Sequence, residues 1–206
     1  MDPYNATLVK KEILAQGLAI FRIAPDETPY IFEPGQYVVL GMLGSEPRAL
    51  ESEPEEPATE PDKLIKRAYS LASGSNESFL EFYIVLVTTG ALTPRLLALP
   101  EGGRLWVSRR AVGVFTLDSV PDGAGIVLVA TGTGLAPYIS MLRTQIESEC
   151  CGARRWAVVH GARQSWDLGY RNELEAIRKR CSNFFYLPSI TRPGEDDPWG
   201  GLAGRV

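Results

Sequence analysis

An unbroken apolar run at residues 125–130 leads directly into the segment Gly132-Thr133-Gly134-Leu135-Ala136-Pro137. Such a run is typical of a parallel β-strand that is buried on both faces. The two glycines allow the backbone to turn tightly, and Pro137 suits the first turn of a helix, where its missing N–H costs nothing. The segment therefore predicts a strand, a tight turn and the beginning of a helix.

The rest of this half of the chain alternates between helix and strand patterns. Apolar residues at helical spacing predict helices at residues 135–149 and 170–181, and β-prone runs predict strands at residues 155–160 and 183–187. This β-α-β-α-β order predicts an α/β fold with a doubly wound parallel sheet, which we assign to residues 116–206.

Residues 1–115 have a different character, because short β-prone runs alternate there with turn signals. The runs lie at residues 18–23, 37–40, 80–87 and 104–108, and Arg67-Ala68-Tyr69-Ser70 also fits a strand. Several short strands separated by turns predict an antiparallel β-barrel. We expect the boundary between the two domains near residues 111–123.

The composition excludes several classes of protein. A net charge of −4 argues against nucleic acid as a partner. No apolar run approaches the roughly 20 residues that span a bilayer, and residues 1–16 lack the apolar core of a signal peptide. The three cysteines have no C-x-x-C spacing, so we expect no metal site and reduced thiols in a cytoplasmic protein.

The glycine segment can be interpreted as a nucleotide site or as a simple tight turn. Its position between a strand and a helix favours the nucleotide, because free N–H groups and the helix dipole attract a phosphate. Arg163, Arg192 and Arg205 all lie beyond the ends of predicted strands or near the chain end. Arginine binds phosphate through two parallel hydrogen bonds, which favours NADP(H) over NAD(H), although each one singly could be a surface arginine.

The segment Arg67-Ala68-Tyr69-Ser70 places a cation, an aromatic ring and a hydroxyl group close together. These groups suit a flavin nucleotide, since arginine can pair with its phosphates and tyrosine can stack on its ring. From the pattern alone, however, an exposed amphipathic strand is the preferred interpretation.

With these motifs in this order, the sequence resembles the ferredoxin–NADP(+) reductases, most closely the bacterial type that also serves flavodoxin. Arg67-x-Tyr69-Ser70 resembles the flavin motif of that family, Gly90-x-Leu92-Thr93 its pyrophosphate segment, and Gly132-x-Gly134-x-x-Pro137 its NADP motif. The resemblance runs from about residue 8 to the end of the chain. It implies FAD in the β-barrel domain and NADP(H) in the α/β domain.

The resemblance also implies the residues of both cofactor sites. The FAD-binding residues would be Arg67, Ala68, Tyr69, Ser70, Tyr83, Ile84, Val85, Leu86, Ala91, Leu92, Thr93 and Thr133. The NADP-binding residues would be Gly132, Thr133, Gly134, Arg163, Arg192 and Arg205. Ser70 is the candidate for tuning the flavin, whereas His160, on an apolar strand, is interpreted as structural.

The implied activity is electron transfer between NADP(H) and ferredoxin or flavodoxin through FAD. One departure from the family is that the α/β domain is incomplete at its C-terminal end, where the family continues beyond the position of Val206. Two alternatives stay open: the reductase component of an oxygenase system, which shares both domains, and a non-catalytic flavin-binding module, because the C-terminal part is missing.

The second departure is a long insert at residues 46–62, which is rich in acidic residues and proline. Such a segment buries little apolar surface, so we expect a solvated loop. The alternative is a functional element that steers a partner or wraps the far end of the flavin.

Overall fold

The computed structural model describes residues 3–149, 154–194 and 197–206, which form two sheets. The first sheet is antiparallel, with the strand order β4-β3-β6-β1-β2-β5. Its strands are β1 (Ala6–Ala15), β2 (Leu18–Pro25), β3 (Tyr37–Leu43), β4 (Leu64–Ser70), β5 (Leu80–Val85) and β6 (Arg104–Val107). A short helix, α1 (Thr93–Ala98), lies between β5 and β6. The predicted antiparallel barrel fold is confirmed.

The two edge strands of this sheet are β4 and β5, and the sheet curls so that they approach each other. Just beyond the end of β4, the Ala72 N–H donates to the Glu81 carbonyl of β5 at 2.8 Å. Phe21, Phe82 and Leu40 are buried inside the curl. The predicted flavin motif therefore lies on one edge strand and the predicted flavin-lining strand is the other edge.

The second sheet is parallel, with the order β10-β9-β8-β7. Its elements in chain order are β7 (Ile126–Thr131), α2 (Ala136–Glu149), β8 (Trp156–Ala162), α3 (Arg171–Arg180), β9 (Phe184–Ile190) and β10 (Leu202–Ala203). The predicted parallel sheet with helical crossovers is confirmed. A single 3₁₀ turn at Gly132–Leu135 connects β7 to α2, and Pro137 is the second residue of that helix.

Alternate residues of β7 are buried and exposed, so the expectation of a strand buried on both faces is wrong. Ile126 and Leu128 pack against the helices, whereas Val127 and Val129 are 66% and 52% exposed. Because β7, β8 and β9 follow one another across the sheet, right-handed crossovers place α2 and α3 on the same face. No element in the described part of the chain covers the opposite face.

Three smaller features depart from the sequence interpretation. The strands β1 and β10 were not predicted individually, and β9 extends three residues beyond the predicted strand. Cys181, which follows α3, is disulfide-bonded, so the expectation of reduced thiols is wrong for this residue.

Within the residues described, none of the helices combines the length and apolar character that crossing a membrane requires.

Candidate functional site

A cavity of about 510 Å³ lies between the two sheets, at the carboxyl ends of the parallel strands. This is the edge at which open α/β sheets bind ligands, and the volume falls within the range of small-molecule sites. The antiparallel sheet lines it with Gln16, Leu18, Tyr83 and Val85. The parallel sheet lines it with Thr131, Gly132, Thr133, Gly161, Ala162, Arg163, Asp167, Thr191, Gly204, Arg205 and Val206.

The glycine turn opens onto this cavity. Gly132 has a positive φ of 52°, a backbone conformation that residues other than glycine rarely adopt. A Cβ atom placed on Gly132 or Gly134 would meet no atom within 4 Å, so the space beside the turn is open. The turn is therefore accessible from the side on which a dinucleotide would lie.

Two of the three predicted phosphate-binding arginines line the cavity. Arg163 follows β8 and Arg205 follows β10, and both are exposed. Nε of Arg163 lies 3.9 Å from a carboxylate oxygen of Asp167. Arg192 does not line the cavity, although its N–H donates to the Arg163 carbonyl at 2.8 Å. Thr191, which the sequence analysis missed, lines the cavity instead.

Tyr83 reaches from the antiparallel sheet into the α/β half. Its hydroxyl donates to the Asp167 carbonyl at 3.2 Å and accepts a hydrogen bond from the Gly169 N–H at 3.1 Å. Burial raises the pKa of this phenol to about 12, so it stays protonated at neutral pH. Tyr83 thus lines the cavity and also joins the two sheets.

The predicted flavin motif lies outside this cavity, on the edge strand β4. Arg67 and Ala68 are exposed, whereas Tyr69 and Ser70 are half-buried. Burial raises the pKa of Tyr69 to about 12. Edge strands leave every second residue's backbone groups without a ladder partner, so β4 and β5 each have backbone donors and acceptors that a ligand could use. These groups fit the polar edge of a flavin ring.

The remaining predicted FAD residues differ in which of their groups could contact a ligand. The side chains of Ile84 and Leu92 are buried in the barrel core, so only their backbones could face a ligand. The side-chain hydroxyl of Thr93 accepts a hydrogen bond from the Val87 N–H at 3.0 Å. The N–H groups of Ala91 and Leu92 donate to no described residue, and such unpaired donors fit a diphosphate. Leu86 lies just beyond β5, where its N–H donates to the Gly17 carbonyl.

The insert at residues 46–62 packs against this same segment and is only partly the solvated loop that we expected. Leu50 is fully exposed, but the Arg48 guanidinium donates to the Gly90 carbonyl at 2.9 Å. The Ala49 N–H donates to the Pro94 carbonyl at 2.9 Å, and Glu55 pairs with Arg95. The insert therefore supports the loop that precedes α1.

His160 occupies a fully buried position on the central strand β8. Its Nδ1 lies 3.1 Å from the Tyr186 hydroxyl, and its Nε2 has no partner within the described ranges. Burial lowers its pKa to about 4. His160 does not line the cavity, which agrees with a structural rather than a catalytic role.

A barrel-like sheet, a parallel sheet and a cavity between them define the class of two-domain oxidoreductases that carry a dinucleotide site. Residues 128–206 match the family model described as "Oxidoreductase NAD-binding domain". The fold also matches the crystal structure of a ferredoxin NADP+ reductase from Neisseria gonorrhoeae with bound FAD and NADP. That match has a TM-score of 0.77 at 23% identity and covers all of this chain and 74% of the other.

Curated relatives narrow this class to a family. The chain is 33% identical to ferredoxin–NADP reductase B of Sorangium cellulosum, over all of this chain and 76% of that protein. It is 34% identical to flavodoxin/ferredoxin–NADP reductase of Shigella flexneri, over 69% of this chain and 56% of that protein. The chain belongs to the ferredoxin–NADP reductase family. It spans little more than half the length of several of the relatives that it matches.

Proposed function

We propose that this chain binds FAD and NADP(H) and carries electrons between NADP(H) and a ferredoxin or a flavodoxin. One observation carries the proposal: the cavity brings Tyr83 and Val85 of the predicted flavin strand beside Gly132 and Thr133 of the predicted NADP turn. The names of the curated relatives favour this function over an oxygenase component or a non-catalytic module.

The two cofactors would be divided between the two halves of the chain. FAD would be held by residues 1–115, with Arg67, Tyr69 and Ser70 on one edge strand and Tyr83 and Val85 on the other. The unpaired N–H groups of Ala91 and Leu92 would receive its diphosphate. When bound, a flavin supplies a centre that accepts a hydride and releases electrons singly.

NADP(H) would be held by residues 116–206. The open turn at Gly132, Thr133 and Gly134 would receive its diphosphate, and Arg163 and Arg205 would bind the 2′-phosphate. Ser70 would tune the flavin through a hydrogen bond, whereas His160 takes no part. The protein's own contribution is to orient the two sites and to exclude water between them.

Cofactor loading tests the proposal first. The purified chain should bind FAD in about equimolar amount, seen as flavin absorbance that persists through gel filtration. Absence of flavin absorbance after incubation with excess FAD would contradict the proposal.

Turnover tests the reaction and its acceptor. The FAD-loaded chain should reduce an artificial electron-accepting dye with NADPH and less well with NADH. Ferredoxin and flavodoxin should then replace the dye. A flavin-loaded chain that reduces no acceptor would indicate the non-catalytic module instead. The cytoplasmic location of the protein is a separate prediction, which this experiment does not address.

A further inference from the structure

A largely buried charge cluster outside the cavity joins the antiparallel sheet to helices α2 and α3. Its centre is Arg143 of α2, whose guanidinium pairs with Glu173 of the α/β half at 2.8 Å through Nε. A second pair of atoms, Nη2 and the other Glu173 oxygen, is also 2.8 Å apart. Across the boundary, Nη1 of Arg143 donates to Glu81 of β5 at 2.8 Å and lies 3.3 Å from Glu77. One arginine thus binds both halves of the molecule.

Glu81 is the barrel-side anchor of this cluster and is 0% exposed. Its Oε1 accepts hydrogen bonds from Arg143 and from the Tyr170 hydroxyl at 2.9 Å, and its Oε2 accepts one from Arg22 at 2.7 Å. Both carboxylate oxygens therefore accept at least one hydrogen bond from another side chain. Tyr170 adopts a positive φ of 60°, an uncommon conformation for an aromatic residue, and it bears the hydroxyl that reaches Glu81.

The electrostatic state of the cluster depends on these contacts. Burial alone would lower the pKa of Arg143, but hydrogen bonds and charges from Glu173, Glu81 and Glu77 raise it above its usual value. Burial raises the pKa of the Glu77 carboxyl. Buried charge clusters cost desolvation energy and are weak evidence for stability, whereas in some proteins they specify one arrangement of the parts that they join.

The cluster is connected by short rigid elements to both predicted cofactor sites. Arg143 lies on α2, the helix that begins at the glycine turn, about two helical turns from its first residue. Glu81 lies two residues before Tyr83 on β5, so both side chains point to the same side of that strand. A displacement between Arg143 and Glu81 would therefore move the glycine turn relative to Tyr83.

A second contact beside the cluster restricts the same boundary. The Tyr83 hydroxyl is held by Asp167 and Gly169, and the Tyr83 and Tyr170 rings meet edge to face with centroids 5.2 Å apart. A Cβ atom on Gly169 would lie 2.3 Å from the Tyr83 hydroxyl oxygen, so only glycine fits there. With two separate points of attachment, the boundary resists rotation as well as separation.

We infer that Arg143 and Glu81 are positioning residues, which fix the NADP-binding turn against the flavin-binding strand. The inference rests on the proposed function, because it assigns these residues to the alignment of the two cofactor sites. Neither side chain lines the cavity, so neither binds the reacting groups. Their effect is on the alignment of hydride donor and acceptor, where an error of about 1 Å can slow a reaction about 100-fold.

The test uses the FAD-loaded chain and the variant Arg143→Lys. Lysine keeps the charge but cannot place a planar fork on several carboxylates at once. The rate at which saturating NADPH reduces the bound flavin should fall at least about 10-fold in a single turnover. The dissociation constants of FAD and NADP(+) should each change less than about 3-fold, because the contacts to the ligands remain. The long-wavelength charge-transfer absorbance that appears when NADPH stacks on the oxidised flavin should weaken in parallel.

The matched control is Arg178→Lys, which alters an ion pair of the same 2.8 Å length within α3, on the surface. Its reduction rate and absorbance should equal those of the unaltered chain. Glu81→Gln, a second variant with nearly the same volume, should reproduce the effect of Arg143→Lys from the other side of the boundary.

The outcomes separate the inference from the proposed function. If the unaltered chain binds no FAD, the proposed function fails, and the inference fails with it. If the unaltered chain binds both cofactors and Arg143→Lys matches it in rate and absorbance, only the inference is overturned. A loss of FAD or NADP(+) affinity as large as the loss of rate would also overturn it, because the residues would then support binding rather than alignment.

Discussion

Glu55 of the acidic insert and Arg95 of α1 form a buried ion pair, with Oε2 and Nη2 2.9 Å apart. Arg95 is 3% exposed, and it also donates to the carbonyl groups of Gly44 and Ala91. The hydrogen bond from Arg95 lowers the pKa of the Glu55 carboxyl to about 2. The pair joins residues 46–62 to the segment that we assign to the FAD diphosphate.

Glu55→Gln should destabilise the folded chain by about 3 kcal/mol, because it leaves the buried Arg95 cation without its anionic partner. The free energy of unfolding in urea measures this loss. Glu56→Gln, an exposed neighbour in the same insert, is the control and should change stability by less than about 0.5 kcal/mol. Equal losses in the two variants would show that the pair contributes nothing specific.

The buried histidine predicts a pH dependence of stability. The folded-state pKa of His160 is about 4, below its unfolded value of 6.5, so the unfolded chain binds the proton more readily. The stabilising effect of the neutral ring is complete above pH 6.5 and is lost as the pH falls towards 4. The shift corresponds to about 3 kcal/mol over that window.

Comparison with His160→Gln isolates this contribution, because the other titrating groups are the same in both chains. Between pH 6.5 and 4 the unfolding free energy of the unaltered chain should fall more steeply than that of the variant. Parallel curves would show that His160 does not titrate differently in the folded and unfolded chains.

Arg163→Ala should lower the preference for NADPH over NADH by about 10-fold or more, because a charge-assisted hydrogen bond to phosphate is lost. The ratio of kcat/KM values for the two nucleotides measures this preference. Arg192→Ala should have a smaller effect, since Arg192 lies outside the cavity. The same ratio in Arg163→Ala and the unaltered chain would remove Arg163 from the phosphate site.

The uncovered face of the parallel sheet should bind a hydrophobic dye. Val127, Val129, Phe185 and Leu187 are exposed together on this face. Contiguous apolar surface of this kind is uncommon on a monomer. The double variant Val127→Ser/Val129→Ser should reduce the fluorescence of bound anilinonaphthalene sulfonate by roughly half. Leu50→Ser, at the fully exposed leucine of the insert, should leave the fluorescence unchanged.

Much of the fold could be predicted because its signals are local. The apolar run before Gly132 and the helical spacing after it predicted β7, the turn and α2, and the structure contains all three. The strand at Arg67–Ser70 was predicted from its local strand pattern, and the structure places these residues in β4. The alternating exposure of β7 was missed, because an apolar residue looks the same in sequence whether or not an element covers it.

The charged contacts had weaker signals. Glu81 is the only acidic residue in the apolar run at residues 80–87, but nothing in the sequence indicated that Arg143 is its partner. In the sequence, Glu55 could not be distinguished from the other acidic residues of an insert that we expected to be solvated. Each pair joins residues that are 40 or more positions apart, so it forms only after the chain has folded.

By itself the sequence determined the order of most strands and helices, the two glycine- and arginine-containing motifs, and the family that they resemble. Periodicity and turn chemistry act over a few residues, so they can be read along the chain. Only the tertiary structure decided that Arg163 and Arg205 share a cavity with Tyr83 and that Arg143 joins the two halves. Both relationships depend on the distances between residues that are remote in sequence and on how deeply those residues are buried. Packing of the folded chain fixes both quantities.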